Sequence, residues 1–126
     1  MKILKFEDII AWQKSQDLAV ELYSIFSDCK DFGFKNQICN AVVSISNNIA
    51  EGFDRSSNLD FSRFLYFAIA SCSEVRSMLY IAKRLNYIDE LICNKLIENT
   101  NEISKIISGL ISSLKKTSKK PLTTNH

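Results

Sequence analysis

Two tyrosines and three basic residues follow one arc of a helix that the sequence predicts near its centre. They are Tyr66, Arg76, Tyr80, Lys83 and Arg84. Aromatic rings can stack on unpaired bases while neighbouring cations contact phosphates, so the arc is a candidate nucleic-acid surface. The same residue types are common in subunit contacts and on solvated helix faces, and the pattern alone leaves these alternatives open.

A second basic feature is the C-terminal segment KKTSKKPLTTNH, residues 115–126. Its four lysines contribute +4, whereas residues 1–114 hold all 14 acids and 12 bases, a balance of −2. Nucleic-acid binding would therefore depend on a local patch, on these lysines, or on several tails brought together by oligomerisation. We expect a folded domain over 1–114 and a flexible basic tail over 115–126, which could equally serve only to keep the protein soluble.

A polar, nearly uncharged stretch, SISNNIAEGFDRSS (44–57), predicts a corner between two helices. Gly52 is expected to close the first helix in a left-handed conformation. Ser57 and Asp60 have the spacing of a capping box at the start of the next.

The corner has more hydrogen-bonding groups than it needs. Glu74 falls on the apolar arc of the next helix and should have a partner there, for which Arg55, Asn47 and Asn48 are candidates. A structural polar cluster is favoured over a catalytic acid. Its members are Asn47, Asn48, Glu51 and Glu74.

The sequence offers little for catalysis or metal binding. Cys29, Cys39, Cys72 and Cys93 form no close pair, so we expect free and mostly buried thiols rather than a zinc site gathered from four helices. The single histidine is His126, and there is no phosphate-binding glycine loop or recognisable carboxylate pair. We expect no enzymatic activity, metal, cofactor or small-molecule substrate.

The elements that position these residues are helices. With 126 residues, 46% apolar content, one proline and three glycines, the chain predicts one all-helical domain. Hydrophobic periodicity predicts helices over about 8–29, with Asp8 as the cap, and over about 34–53, 58–86 and 89–115. The third has the strongest seam, formed by Phe61, Leu65, Ala68, Cys72, Val75, Leu79 and Ala82, and it is widened by Phe67, Met78, Ile81 and Leu85.

The second helix carries no charge from Asn36 to Ala50. A surface helix normally keeps charged residues towards water, so we expect other helices or another subunit to cover this one. The run is too short and too polar to cross a bilayer, and residues 1–5 lack the apolar core of a signal peptide. A cytoplasmic protein without membrane contact is expected.

Three blocks of the chain resemble the small bacterial four-helix-bundle proteins encoded in intervening sequences of 23S ribosomal RNA genes, also described as ribosomal-protein-like. The resemblance covers about residues 6–113. The blocks are FEDIIAWQKSQDLAVELY (6–23), SISNNIAEGFDRSS (44–57) and FSRFLYFAIASCSEVRSMLYIAKRLNYI (61–88). The middle block is the most specific, because the run 48–52 with Arg55 and Ser57 matches the family pattern position by position.

The resemblance implies an up-and-down antiparallel four-helix bundle that assembles as a ring-like homopentamer without known enzymatic activity. A related branch of the fold is the accessory protein of diversity-generating retroelements, which binds a reverse transcriptase and nucleic acid. This chain departs from many relatives at Cys39 and Asn40, where they carry a basic pair, and at Ala70, where they often have glycine.

We therefore expect a non-enzymatic oligomer with an accessory role around structured RNA. The alternative is a protein–protein adaptor or scaffold that binds no nucleic acid. The predicted RNA contacts are Arg55, Arg63, Tyr66, Arg76, Tyr80, Lys83, Arg84, Lys115 and Lys116.

Overall fold

The computed structural model describes residues 3–124, with side chains described as far as residue 117. Its four α-helices are α1 (Ile10–Ile25), α2 (Phe32–Phe53), α3 (Asn58–Arg84) and α4 (Glu90–Thr124), and a short 3-10 turn (Phe6–Asp8) precedes them. No strand occurs in this part of the chain. The predicted all-α class and the number of helices are confirmed.

Consecutive helices run antiparallel, because residue numbers change in opposite directions along each pair. Between α2 and α3, Gln37 contacts Glu74, and further along α2 Ser44 contacts Ser71. The same pattern joins α1 to α2, where Lys35 reaches the Ser27 carbonyl and Gln16 reaches Ser46.

Two further antiparallel contacts complete the bundle. Arg76 and Lys83 of α3 reach Asn101 and Glu90 of α4. α4 also lies against α1 through ion pairs of 3.6 Å between Lys14 and Glu102 and 3.8 Å between Lys95 and Glu21. The four helices therefore form an up-and-down antiparallel arrangement around one core.

The core contains the predicted seam of α3. All seven seam residues are buried, from Phe61 to Ala82, and they pack against buried residues of the other three helices. All four cysteines are free; Cys39, Cys72 and Cys93 are buried, and Cys29 is partly exposed. Burial raises the pKa of the Cys72 thiol to about 11, so this thiol stays protonated and packs as an apolar group.

Helix starts follow the sequence signals in two cases out of three. Asp31 caps α2 by accepting a hydrogen bond from the Phe34 N–H at 3.2 Å. Ser57 caps α3 by accepting from the Asp60 N–H at 3.1 Å, while the Asp60 carboxylate pairs with Arg63 instead of completing a capping box.

The cap predicted for the first helix is wrong. Asp8 lies in the 3-10 turn, and Ile9 is the N-cap of α1 without a side-chain hydrogen bond. The extra turn keeps Asp8 one residue outside the α-helix. The helix also ends earlier than predicted, at Ile25 rather than near Cys29, because residues 26–28 form a turn.

Gly52 does not close α2, which corrects the predicted left-handed cap. It lies inside the helix, and no described glycine has a positive φ. Its role is a close approach between helices, since a Cβ at Gly52 would lie 2.6 Å from the Cβ of Phe64 and 3.1 Å from the Phe61 ring. The absence of a side chain lets the backbone of α2 touch α3.

A hydrogen bond joins the two loops at the opposite end of α3. The Tyr87 hydroxyl donates to Asp31 Oδ2 at 2.7 Å, and the Tyr87 ring packs on Phe34. This bond, together with the one from the Phe34 N–H, lowers the pKa of Asp31. The contact fixes where the chain leaves α3 and therefore where α4 begins.

α4 is longer than the sequence predicts. It continues from Glu90 to Thr124, past the expected end near Lys115. No glycine or proline interrupts residues 110–120, so no strong stop signal precedes Pro121. The mobility expected for 115–126 stays a prediction, and Asn125 and His126 lie outside the described residues.

Over residues 3–124, no helix is long and apolar enough to cross a membrane.

The close approach at Gly52 predicts opposite effects for two glycine substitutions. Gly52→Ala should lower the free energy of unfolding by about 1–3 kcal/mol, because the Phe64 Cβ belongs to a backbone-anchored atom that cannot swing away. Gly109→Ala is the matched control: it lies in α4 with open space around it, so better helix propensity should raise stability by about 0.5–1 kcal/mol. Urea denaturation followed by circular dichroism measures both, and equal effects would contradict the packing role.

Candidate nucleic-acid interface

The predicted ring-and-cation arc lies where α3 faces α4. Tyr66 and Tyr80 are half exposed, at 50% and 51%. Arg76 and Lys83 lie on the same side and each contacts a residue of α4. We call the exposed side chains along this pair of helices the α3–α4 surface. It comprises Tyr66, Ser73, Arg76, Tyr80, Lys83 and Arg84 of α3 and Asn101, Lys105, Ser108, Ser112, Lys115 and Lys116 of α4.

Most cations of this surface are not neutralised. The Arg76 guanidinium donates to the neutral amide of Asn101 at 2.7 Å. Arg84 has no acidic partner within 4.0 Å among the described side chains. Lys83 is the exception, with Glu90 3.7 Å away. The surface therefore keeps net positive charge.

The far end of the surface is formed by α4. Lys115 Nζ donates to the Tyr66 hydroxyl at 3.3 Å and lies 5.9 Å from the centre of its ring. Lys116 is exposed beside it. The sequence from Ile103 to Thr117 contains three lysines and no acid.

Arg55 and Arg63 lie elsewhere, at the α2–α3 corner. Arg55 pairs with Glu51 at 3.1 Å, and Arg63 pairs with an acid at 3.2 Å. Both guanidinium groups also lie over the Phe64 ring, at 4.8 and 5.3 Å from its centre. The structure thus divides the predicted contacts into an open α3–α4 set and a corner pair whose charge is compensated. Acids three and four residues away in sequence signalled this pairing.

The predicted polar cluster is also divided into separate local contacts. Asn48 donates to the Ser44 carbonyl of its own helix at 2.8 Å, and Asn47 is exposed. Glu74 is exposed, and its partner is Gln37 rather than Arg55, Asn47 or Asn48, so that expectation is wrong. The apolar arc of α3 ends in solvent beside α2, and a carboxylate at its margin needs no buried counter-charge.

That margin forms a second exposed surface, which we call the α2–α3 face. Phe67, Ile81 and Leu85 are 46%, 46% and 49% exposed on α3, and Met78 is the one predicted widening residue that is buried. On the neighbouring helix the exposed residues are mainly neutral amides. They are Asn36, Gln37, Asn40 and Asn47.

Sequence reasoning missed the α4 half of the candidate interface. Asn101, Lys105, Ser108 and Ser112 extend it, and their signal was the acid-free run from 103 onwards. Among the described residues, no group of three or more histidine, cysteine or acidic side chains is placed to hold a metal ion. The chemistry available at this site is hydrogen bonding, stacking and charge attraction.

Comparisons with known proteins agree with this architecture. The model of the 23S rRNA-intervening sequence protein family matches residues 7–109. A solved structure from Bacteroides thetaiotaomicron VPI-5482, a protein of unknown function from the S23 ribosomal protein family, is 26% identical, with a TM-score of 0.76. The match covers 81% of this chain and 98% of that one. No curated protein matches. With four antiparallel helices and a family match over most of its length, this chain belongs to the 23S rRNA-intervening sequence protein family.

Proposed function

We propose that the protein is a non-enzymatic accessory protein that assembles with copies of itself in the cytoplasm and associates with structured RNA. The observation that carries the RNA association is the α3–α4 surface, where basic side chains accumulate on two helices without equivalent acids. Family membership supports the same direction, since the family is named for intervening sequences of 23S rRNA.

The electrostatics favour phosphate as the target. Arg76 and Arg84 lack acidic partners, and α4 adds Lys105, Lys115 and Lys116 in a run without acids. Each cation that replaces a counterion on the RNA backbone makes binding more favourable at low salt and weaker as salt rises. Cys39 and Asn40 of α2 lie outside the α3–α4 surface, so the missing basic pair leaves its charge unchanged.

Self-association is supported by the α2–α3 face. Phe67, Ile81 and Leu85 leave apolar area in water in the single chain, and the amides beside them can hydrogen-bond across an interface without desolvating a charge. We propose that a second copy covers this face. The ring-like homopentamer implied by the family resemblance is the assembly that we propose.

The same face also supports the second candidate function. An apolar strip rimmed by amides could hold a different protein, which would make the bundle an adaptor without nucleic-acid binding. The two functions differ in the behaviour of the α3–α4 surface, which the adaptor does not use.

Removing two cations tests the RNA association. The double variant Arg76→Gln/Arg84→Gln should bind an RNA hairpin with a long uridine loop about tenfold more weakly per lost charge at low salt. The slope of log affinity against log salt should fall by about one per contact. Lys14→Gln/Lys95→Gln is the matched control, because it removes the same charge from ion pairs on the α1–α4 side. Fluorescence anisotropy measures the affinities.

Two outcomes would contradict the proposal. One is that the unmodified protein binds no RNA at low salt, which would favour the adaptor. The other is that both double variants weaken binding equally, since net charge rather than the α3–α4 surface would then be responsible.

A substitution on the α2–α3 face tests the assembly. Phe67→Glu/Ile81→Glu should convert a multi-chain species into a monomer, because the charges would be buried without partners in the interface. Both positions are exposed in the single chain, so the helical circular dichroism signal should be kept. Leu59→Glu, at an 82% exposed residue at the start of α3, should leave the mass unchanged. Light scattering that finds the unmodified protein monomeric would refute self-assembly.

A further inference from the structure

We infer that the α3–α4 surface binds an unpaired segment of RNA, whose bases stack on Tyr66 and Tyr80 while its phosphates contact the surrounding cations. The inference rests on the proposed RNA association and adds which part of a structured RNA the protein takes. It follows from the spacing of the rings, from the small residues between them and from the distribution of charge.

The two tyrosines lie on one line along α3. Tyr66, Ser73 and Tyr80 are separated by seven residues each, close to two helical turns, so their side chains leave the helix in nearly the same direction. At about 1.5 Å per residue, the two rings are attached about 21 Å apart. Each is half exposed, and a small serine lies midway between them. They form two aromatic platforms with a low stretch of surface in between.

The α4 side of this stretch is also low. Because Arg76 contacts Asn101 and Tyr66 contacts Lys115, the residues of α4 between 101 and 115 lie opposite the stretch from Arg76 to Tyr66. The exposed side chains there include the hydroxyls of Ser108 and Ser112. Nothing bulky closes the channel between the helices, and the hydroxyls can bond to sugar or phosphate oxygens.

Charge complementarity points to a polyanion in this channel. Arg76, Lys105 and Lys115 lie along it, and α4 carries no acid from 103 to 117. Glu74 is the one acid of α3 between the two tyrosines, and it lies on the α2 side of the helix, where Gln37 donates to it. A phosphate backbone in the channel therefore meets cations without a facing carboxylate.

The rings discriminate between unpaired and paired RNA. In a duplex the faces of the bases are already stacked on one another, and the narrow major groove keeps side chains from their edges. An isolated tyrosine platform gains contact area only from a base that is free to turn outwards. Stacking depends little on base identity, so binding should tolerate sequence.

Alanine substitution of the tyrosines tests the inference in the full-length protein. The probes are a fluorescent oligouridylate and a blunt-ended RNA duplex of the same length, both at low salt. Oligouridylate should bind at least tenfold more tightly than the duplex. Tyr66→Ala and Tyr80→Ala should each weaken oligouridylate binding about tenfold, the effect of losing one stacked base, and should change duplex binding little.

Two control variants separate stacking from structural damage. Tyr80→Phe and Tyr66→Phe keep the rings and should retain oligouridylate affinity within about twofold, since stacking uses the ring face. Tyr23→Ala removes a similarly exposed ring, at 48%, from α1 and should have no effect.

The outcomes separate this inference from the proposed function. If neither probe binds, the RNA association itself fails. If both bind equally well and the alanine variants match the unmodified protein, RNA association stands and stacking on an unpaired segment is overturned.

Discussion

The close contact between α2 and α3 at Gly52 determines how the surfaces of this protein are arranged. Because Gly52 has no side chain, Phe61 and Phe64 can lie directly against the backbone of α2. This contact sets the rotation of α3 about its own axis. With 3.6 residues per turn, that rotation decides at once which residues of α3 enter the core and which face α4 or solvent.

Three faces of α3 follow from that rotation. The seam from Phe61 to Ala82 is buried, the line of Tyr66 and Tyr80 lies beside α4, and Phe67 with Ile81 and Leu85 lies in water beside α2. The α3–α4 surface and the α2–α3 face therefore differ in chemistry and lie on different sides of one helix. A chain built this way can bind RNA on one side while a second copy covers the other.

Periodicity predicted the helices and the seam because burial repeats every three to four residues along a helix, and this repeat can be read locally. Gly52 was misread because a helix cap and a helix–helix contact call for the same residue, and only the neighbouring helix distinguishes them. Glu74 was placed in the core for a related reason: one helix does not reveal where its neighbour ends. Among the cations, nearby acids separated Arg55 and Arg63 from the open set. The α4 half of the interface depends on the register between α3 and α4, which the sequence did not specify.

Photo-crosslinking is the most direct test of the central claim that α3 presents its RNA-binding side towards α4. Oligouridylate would be irradiated with the unmodified protein, and the modified peptides identified by mass spectrometry. The account predicts crosslinks at Tyr66 and Tyr80 and none at Phe67, on the other side of the same helix. Crosslinks confined to Phe67 or to Tyr23 of α1 would contradict it.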